Sequence, residues 1–222
     1  MFRDATLVAS KDLRIEWRSR VGINQIAPFA VLILVLFAFA LDPDKGLLTK
    51  ATPGLYWVAV LLCGLLAVQR SFAVEASDGA TDALRLSGIE PSALFLGKAA
   101  AVLLQILVLD VVLLVGVTIL YGTTFTGWVL VVGTVVSASV GIAAAGTLYG
   151  VLAAGLRVRE TLLPLLLLPV LAPVLIGSTR AFEAALAGTT SEGWLWFGLL
   201  SVFALIYVAA GAALFGPLLE EA

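Results

Sequence analysis

The sequence predicts an all-α membrane protein that crosses the bilayer six times, and three observations carry that prediction. Of the 222 residues, 61% are hydrophobic and only 13% charged, with a mean hydropathy of +1.11. A soluble domain keeps about a quarter of its residues charged to wet its surface. The charges are also clustered: between Ala99 and Leu156, a run of 58 residues, the one charged side chain is Asp110. Further charge-free runs cover Ala51–Gln69, Thr161–Thr179 and Gly193–Leu219, and roughly 20 apolar residues span a bilayer as a helix. Finally, runs such as AVLILVLFAFAL and LLPLLLLPVLAPVLI lack the polar–apolar alternation of barrel strands. Helices remain, since only closed hydrogen-bonded structures cross hydrocarbon.

Residues 1–22 come first, as a cytoplasmic interfacial helix. At 100° per residue Phe2, Ala9, Leu13 and Trp17 share one side, and Lys11, Arg14 and Arg18 lie opposite. That pattern suits a helix lying in the headgroup layer, although Glu16 and Arg20 blur its apolar face. The charged stretch Met1–Arg20 is not expected to act as a cleavable signal peptide. Spans are expected at about Ile23–Leu41, Gly54–Gln69, Gly97–Tyr121, Trp128–Leu156, Thr161–Thr179 and Trp194–Leu218. The fourth is long enough to protrude or bend. Lys and Arg set the orientation: ten fall on the side of the amino terminus and three (Lys45, Lys50 and Arg180) on the other. Both termini are therefore expected in the cytoplasm, in a single transmembrane domain over 1–222.

The largest polar connection, 70–97, is predicted to be a cytoplasmic coupling segment. Asp78–Gly79 makes a turn, Asp78 or Thr81 caps a short helix over Asp82–Leu86, and Ser87–Gly88 ends it. Glu90–Pro91 then restarts a helix. Leu84 and Leu86 are available for packing, and Glu75, Asp78, Asp82 and Arg85 for docking. In the third span Asp110 lies five residues after Gln105. An intramembrane carboxylate suggests function, but a relay needs several such groups, so an interhelical hydrogen bond is the preferred reading. The fourth span has Ser137 and Gly141, then Gly146, Gly150 and Ala154, at four-residue spacing. Such ladders allow close packing, within the bundle or between subunits. The fifth holds Pro164, Pro169 and Pro173, each removing a backbone donor. The span is then either kinked and moving, or packed against neighbours that supply the missing bonds. Residues 179–193 are expected as a short external segment broken at Gly188.

Composition excludes several activities. Net charge is −2 and the pI about 5.1, with no basic footprint for nucleic acid. Histidine is absent and Met1 and Cys63 are the only sulfur residues, which removes the common haem ligands, imidazole metal sites and Ser–His dyads. Asp110 has no second intramembrane carboxylate for an aspartyl pair. A secondary transporter would carry more intramembrane polar groups or an inverted repeat. No phosphate loop exists: Gly88 to Gly97–Lys98 has the wrong glycine spacing and no following Ser or Thr. Any use of ATP belongs to another chain.

The basic opening KDLRIEWRSR, the pattern Phe72, Glu75, Asp78, Gly79, Asp82 and Leu84, the basic turn Leu156–Glu160, the proline-rich Leu162–Ile176 and the following STRAFEAAL occur in that order. Together with six spans they resemble, over nearly the whole chain, the CcmB family: the membrane subunit of the haem-exporter ABC complex of cytochrome c maturation. The resemblance implies an ABC-2-exporter-like fold and no catalysis in this chain. It implies a CcmA-like ABC ATPase docking on 70–97, CcmC- and CcmD-like membrane partners, a CcmE-like haem chaperone, and residence in the inner membrane. Haem would be cargo of the complex and ATP would bind the partner. The competing expectation is an ABC-2-type permease for another amphiphile, a drug or a lipid.

Overall fold

The computed structural model describes residues 1–20, 22–41, 46–77, 89–154 and 159–221. Every described regular element is helical: α1 (Phe2–Ser19), a π-helical turn (Gly22–Ile26), α2 (Ala27–Ala40), α3 (Leu47–Ser77), α4 (Pro91–Leu120), α5 (Trp128–Ala154), α6 (Arg159–Ala187) and α7 (Thr190–Glu221). Helices α3 to α7 are each long and apolar enough to cross a membrane. A further apolar path runs through α1 and Asn24–Ala40, which meet at 54°. Its second part covers the first predicted span. Gly22–Ala40 is about 28 Å long at helical rise, close to the ~30 Å of a hydrocarbon core. The π turn precedes Pro28 in the first turn of α2. Proline has no N–H for the i−4 carbonyl, so the winding changes there.

The bundle is built around α4 and α5. Helix α5 packs against α3, α4, α6 and α7, and α4 also receives α1 and α2. Hydrocarbon gives little hydrophobic drive for helix association, so small residues that let backbones approach decide the contacts. The ladder of α5 serves two neighbours. Gly146 faces Val68 and Gly150 faces the Phe72 ring, both on α3, while Gly133 and Gly141 face Phe197 and Phe203 of α7. The five-residue step from 141 to 146 turns the ladder by about 140°. Ser137 continues the α7 side, its hydroxyl 3.3 Å from that of Ser201.

Helix boundaries depart from the predicted spans where polar residues lie on an otherwise helical pattern. Residues 179–193, expected as a short external segment broken at Gly188, are mostly helical. Helix α6 continues to Ala187, because Ala181, Phe182, Ala184 and Ala185 keep a buried face and Arg180 pairs with Glu183 one turn on at 2.9 Å. The break is at Gly188, whose φ of +78° closes a helix at little steric cost, and α7 resumes at Thr190. Helix α4 starts at Pro91, six residues before the predicted Gly97. Thr126 of the α4–α5 connection donates its hydroxyl to the Ala185 carbonyl at 2.8 Å, and Tyr121 donates to the Leu34 carbonyl at 3.0 Å.

Candidate functional site

Two polar centres lie in this apolar bundle. The first is at mid-span. Asp110 on α4 is 1% exposed; its Oδ1 accepts from the Tyr56 hydroxyl at 3.0 Å and its Oδ2 from Ser139 at 2.6 Å. Three helices, α3, α4 and α5, are thereby tied at one carboxyl group. Tyr56 also stacks on Phe182 of α6 (ring centroids 4.7 Å apart, 18° between planes), so a fourth helix joins. Trp57 and Phe125 pack edge-on against the same Phe182 ring. With both oxygens engaged, the Asp110 carboxyl makes interhelical hydrogen bonds to α3 and α5. Gln105 is half-buried and makes no bond to it: five residues on a helix is about 140°, which points the two apart. Tyr56, Ser139 and Phe182 were not singled out from the sequence. A lone tyrosine in an apolar span was the available signal.

The second centre lies at the end of the bundle that carries the amino terminus. Helix α1 docks on α4 through Ala5 and Val8, which sit against Gly97. A Cβ on Gly97 would lie 2.6 Å from the Ala5 carbonyl oxygen and 2.7 Å from the Val8 Cβ. About three turns further along the same face of α1, Glu16 accepts from Arg70 Nε at 3.1 Å. Beside it, Lys98 Nζ lies 4.4 Å from the centre of the Phe72 ring, a cation–π distance. These contacts fasten the last turns of α3 and the first turns of α4, the two helices that bracket residues 78–88, onto α1.

Ala5, Val8 and Glu16 form the face of α1 that meets the bundle, and Glu16, about 20° round from Ala9, stands where that face borders the apolar stripe. Phe2 and Trp17 remain 81% and 78% exposed, Leu13 is half-buried, and Arg14 and Arg18 are exposed beyond them. A stripe left free while the neighbouring face is docked is available to the headgroup layer.

Of the residues predicted for coupling, Asp78, Gly79, Asp82, Leu84 and Arg85 lie outside the described residues, as does the short helix expected over Asp82–Leu86; Glu75 is on the last turn of α3 and its side chain is likewise outside the description. Pro164, Pro169 and Pro173 all sit inside α6, which continues through them. Pro164 is half-buried and the other two are on the outer face.

Residues 3–215 match the model of the family described as CcmB protein. A protein named heme exporter protein B from Haemophilus influenzae is 31% identical over 179 residues, 80% of either chain. The protein of that name from Pseudomonas aeruginosa is 28% identical over 201 residues, 90% of either chain. The one from Paracoccus denitrificans is 29% identical over 216 residues, 92% of this chain and 95% of its own. The matched region runs from α1, through the clamp at Asp110 and both ends of 78–88, into the last turns of α7. Over that whole length, the chain belongs to the CcmB protein family.

Proposed function

We propose that this chain is the membrane subunit of an ABC complex that exports haem, or releases a haem-loaded chaperone, in cytochrome c biogenesis. The observation that carries the reading is the family match over residues 3–215, with relatives named heme exporter protein B along most of their length. The same names favour haem over a drug or lipid as the exported amphiphile. ATP is hydrolysed by a separate CcmA-like subunit, because this chain has no phosphate loop. Haem is cargo rather than a resident cofactor: the chain has no histidine, the commonest axial ligand of haem proteins.

The mechanical part of the proposal concerns residues 70–97. The ATPase pushes on 78–88 from the cytoplasm, with Asp82 and Leu84 at the contact, and Glu75, Asp78, Gly79 and Arg85 framing it. The Arg70–Glu16 and Lys98–Phe72 contacts support this reading, since a load placed between α3 and α4 would pass through them into α1 and the bundle. CcmC- and CcmD-like membrane proteins and a CcmE-like chaperone complete the complex in the inner membrane. Purifying the complex and identifying its members tests the assignment. An ATPase and a haem-handling membrane protein should both come with this chain; an ATPase alone would favour a permease for another amphiphile. Asp82→Arg or Leu84→Glu should uncouple ATP hydrolysis from cytochrome c maturation while the chain stays in the membrane. If the ATPase still co-purifies and maturation is normal in both variants, the docking assignment is wrong.

A further inference from the structure

At the end of the bundle that carries the amino terminus, a cleft of about 580 Å³ opens between the π turn, α3, α5 and the start of α6. Its size is typical of small-ligand sites, which run from about 300 to 1,000 Å³ and combine apolar walls with a few placed polar groups. Phe29 and Leu66, 39% and 38% exposed, stand at the mouth, while Phe72 and Ala153, 8% and 1% exposed, are deeper. Gln25 lies in the π turn, and Gln69 and Arg70 lie about two turns before the end of α3. An open apolar slot in a bilayer does not hold water; hydrocarbon enters it.

The polar side of the cleft decides the headgroup. Glu16 takes only Nε of Arg70, and a guanidinium has five N–H donors in a planar fork suited to phosphate. Its terminal nitrogens make no other hydrogen bond among the described residues. Arg18 and Arg20, both exposed, close the helix that leads into the π turn and add positive charge at this end of the bundle. Basic pockets between transmembrane helices select anionic lipid headgroups. We infer that this cleft is a binding site for an anionic phospholipid, with an acyl chain between Phe29, Leu66 and Phe72 and the phosphate on Arg70. The site stands apart from haem export and does not depend on it.

Native mass spectrometry of the purified full chain in detergent tests the site, with phosphatidylglycerol or phosphatidylcholine added. The wild type should retain phosphatidylglycerol at least about tenfold better, the scale of one charge-assisted contact. Arg70→Gln should abolish that preference and Leu66→Trp, which narrows the mouth at a partly exposed position, should lower retention of both lipids. Glu16→Gln breaks the same ion pair yet keeps the guanidinium, so the preference should survive it. Equal retention of the two lipids by the wild type would overturn the proposal. So would an unchanged preference in Arg70→Gln, or added haem occupying the site in place of phospholipid.

Discussion

Asp110 gathers two hydroxyl donors from two other helices, yet each bond is individually modest. Interhelical hydrogen bonds in membranes average about 0.6 kcal/mol, with a maximum near 1.7. The loss in Asp110→Leu is further limited, because Ser139 can turn back to its own helix carbonyl and Tyr56 already lies 3.5 Å from the Asp110 backbone oxygen. We expect Asp110→Leu to cost about 1–2 kcal/mol. Asp110→Asn keeps an acceptor for one hydroxyl and offers a donor to the other, and should cost less than half as much. Removing a packed ring is worse: Phe182→Ala strips the Tyr56 stack and two edge-on contacts, about 3–5 kcal/mol by analogy with core phenylalanines. Unfolding in mixed detergent micelles should therefore rank the variants Phe182→Ala, Asp110→Leu, Asp110→Asn, from least to most stable. An Asn variant that is abundant and folded but inactive in cytochrome c maturation would make Asp110 a site residue and not a clamp.

At the level of the element, α1 is held by close approach and by one ion pair, and the two can be separated. The atoms met by a side chain on Gly97 include a backbone oxygen, which cannot rotate away. Gly97→Ala must shift α1, at an overpacking cost of about 1–3 kcal/mol. Limited proteolysis should then cut the amino-terminal segment faster in Gly97→Ala than in the wild type; an unchanged rate would mean that α1 is fastened elsewhere. The Glu16–Arg70 pair is only partly exposed, 15% and 26%. Glu16→Arg should loosen α1 in the same assay, and the exchange Glu16→Arg with Arg70→Glu should restore protection, since the pair is remade in reverse. Helix α6 poses a different case. Three prolines do not end it, because Leu163, Leu167, Leu171 and Val174 keep a continuous buried edge and neighbouring helices hold the segment together.

Across the whole molecule, ten basic residues on one side and three on the other predict that both termini are cytoplasmic. A reporter that is active only in the periplasm, fused after Ala222, should stay silent, and the same reporter placed at Gly188 should be active. Activity at Ala222 would remove a span, and the bent pair of α1 and Asn24–Ala40 would be the one to reconsider.

The sequence by itself determined the class of this protein and its apolar spans, because hydrocarbon imposes length and charge rules that can be read residue by residue. It marked Asp110 as the exceptional intramembrane group for the same reason. Tertiary structure decided what that group meets. Tyr56 is 54 positions before Asp110 and Ser139 is 29 after it, and no local period announces such a meeting. The helix through 179–187 was hidden by Thr179, Arg180 and Glu183, whose polarity resembles a loop until Phe182 is seen packed on Tyr56. The small-residue ladder of α5 allowed either bundle or subunit contact; only the placement of Val68, Phe72, Phe197 and Phe203 against it assigned it to the bundle. The docked face of α1 was likewise invisible, because Ala5 and Val8 are weak apolar signals beside Phe2 and Trp17. Close approach needs small residues, and small residues carry little pattern of their own.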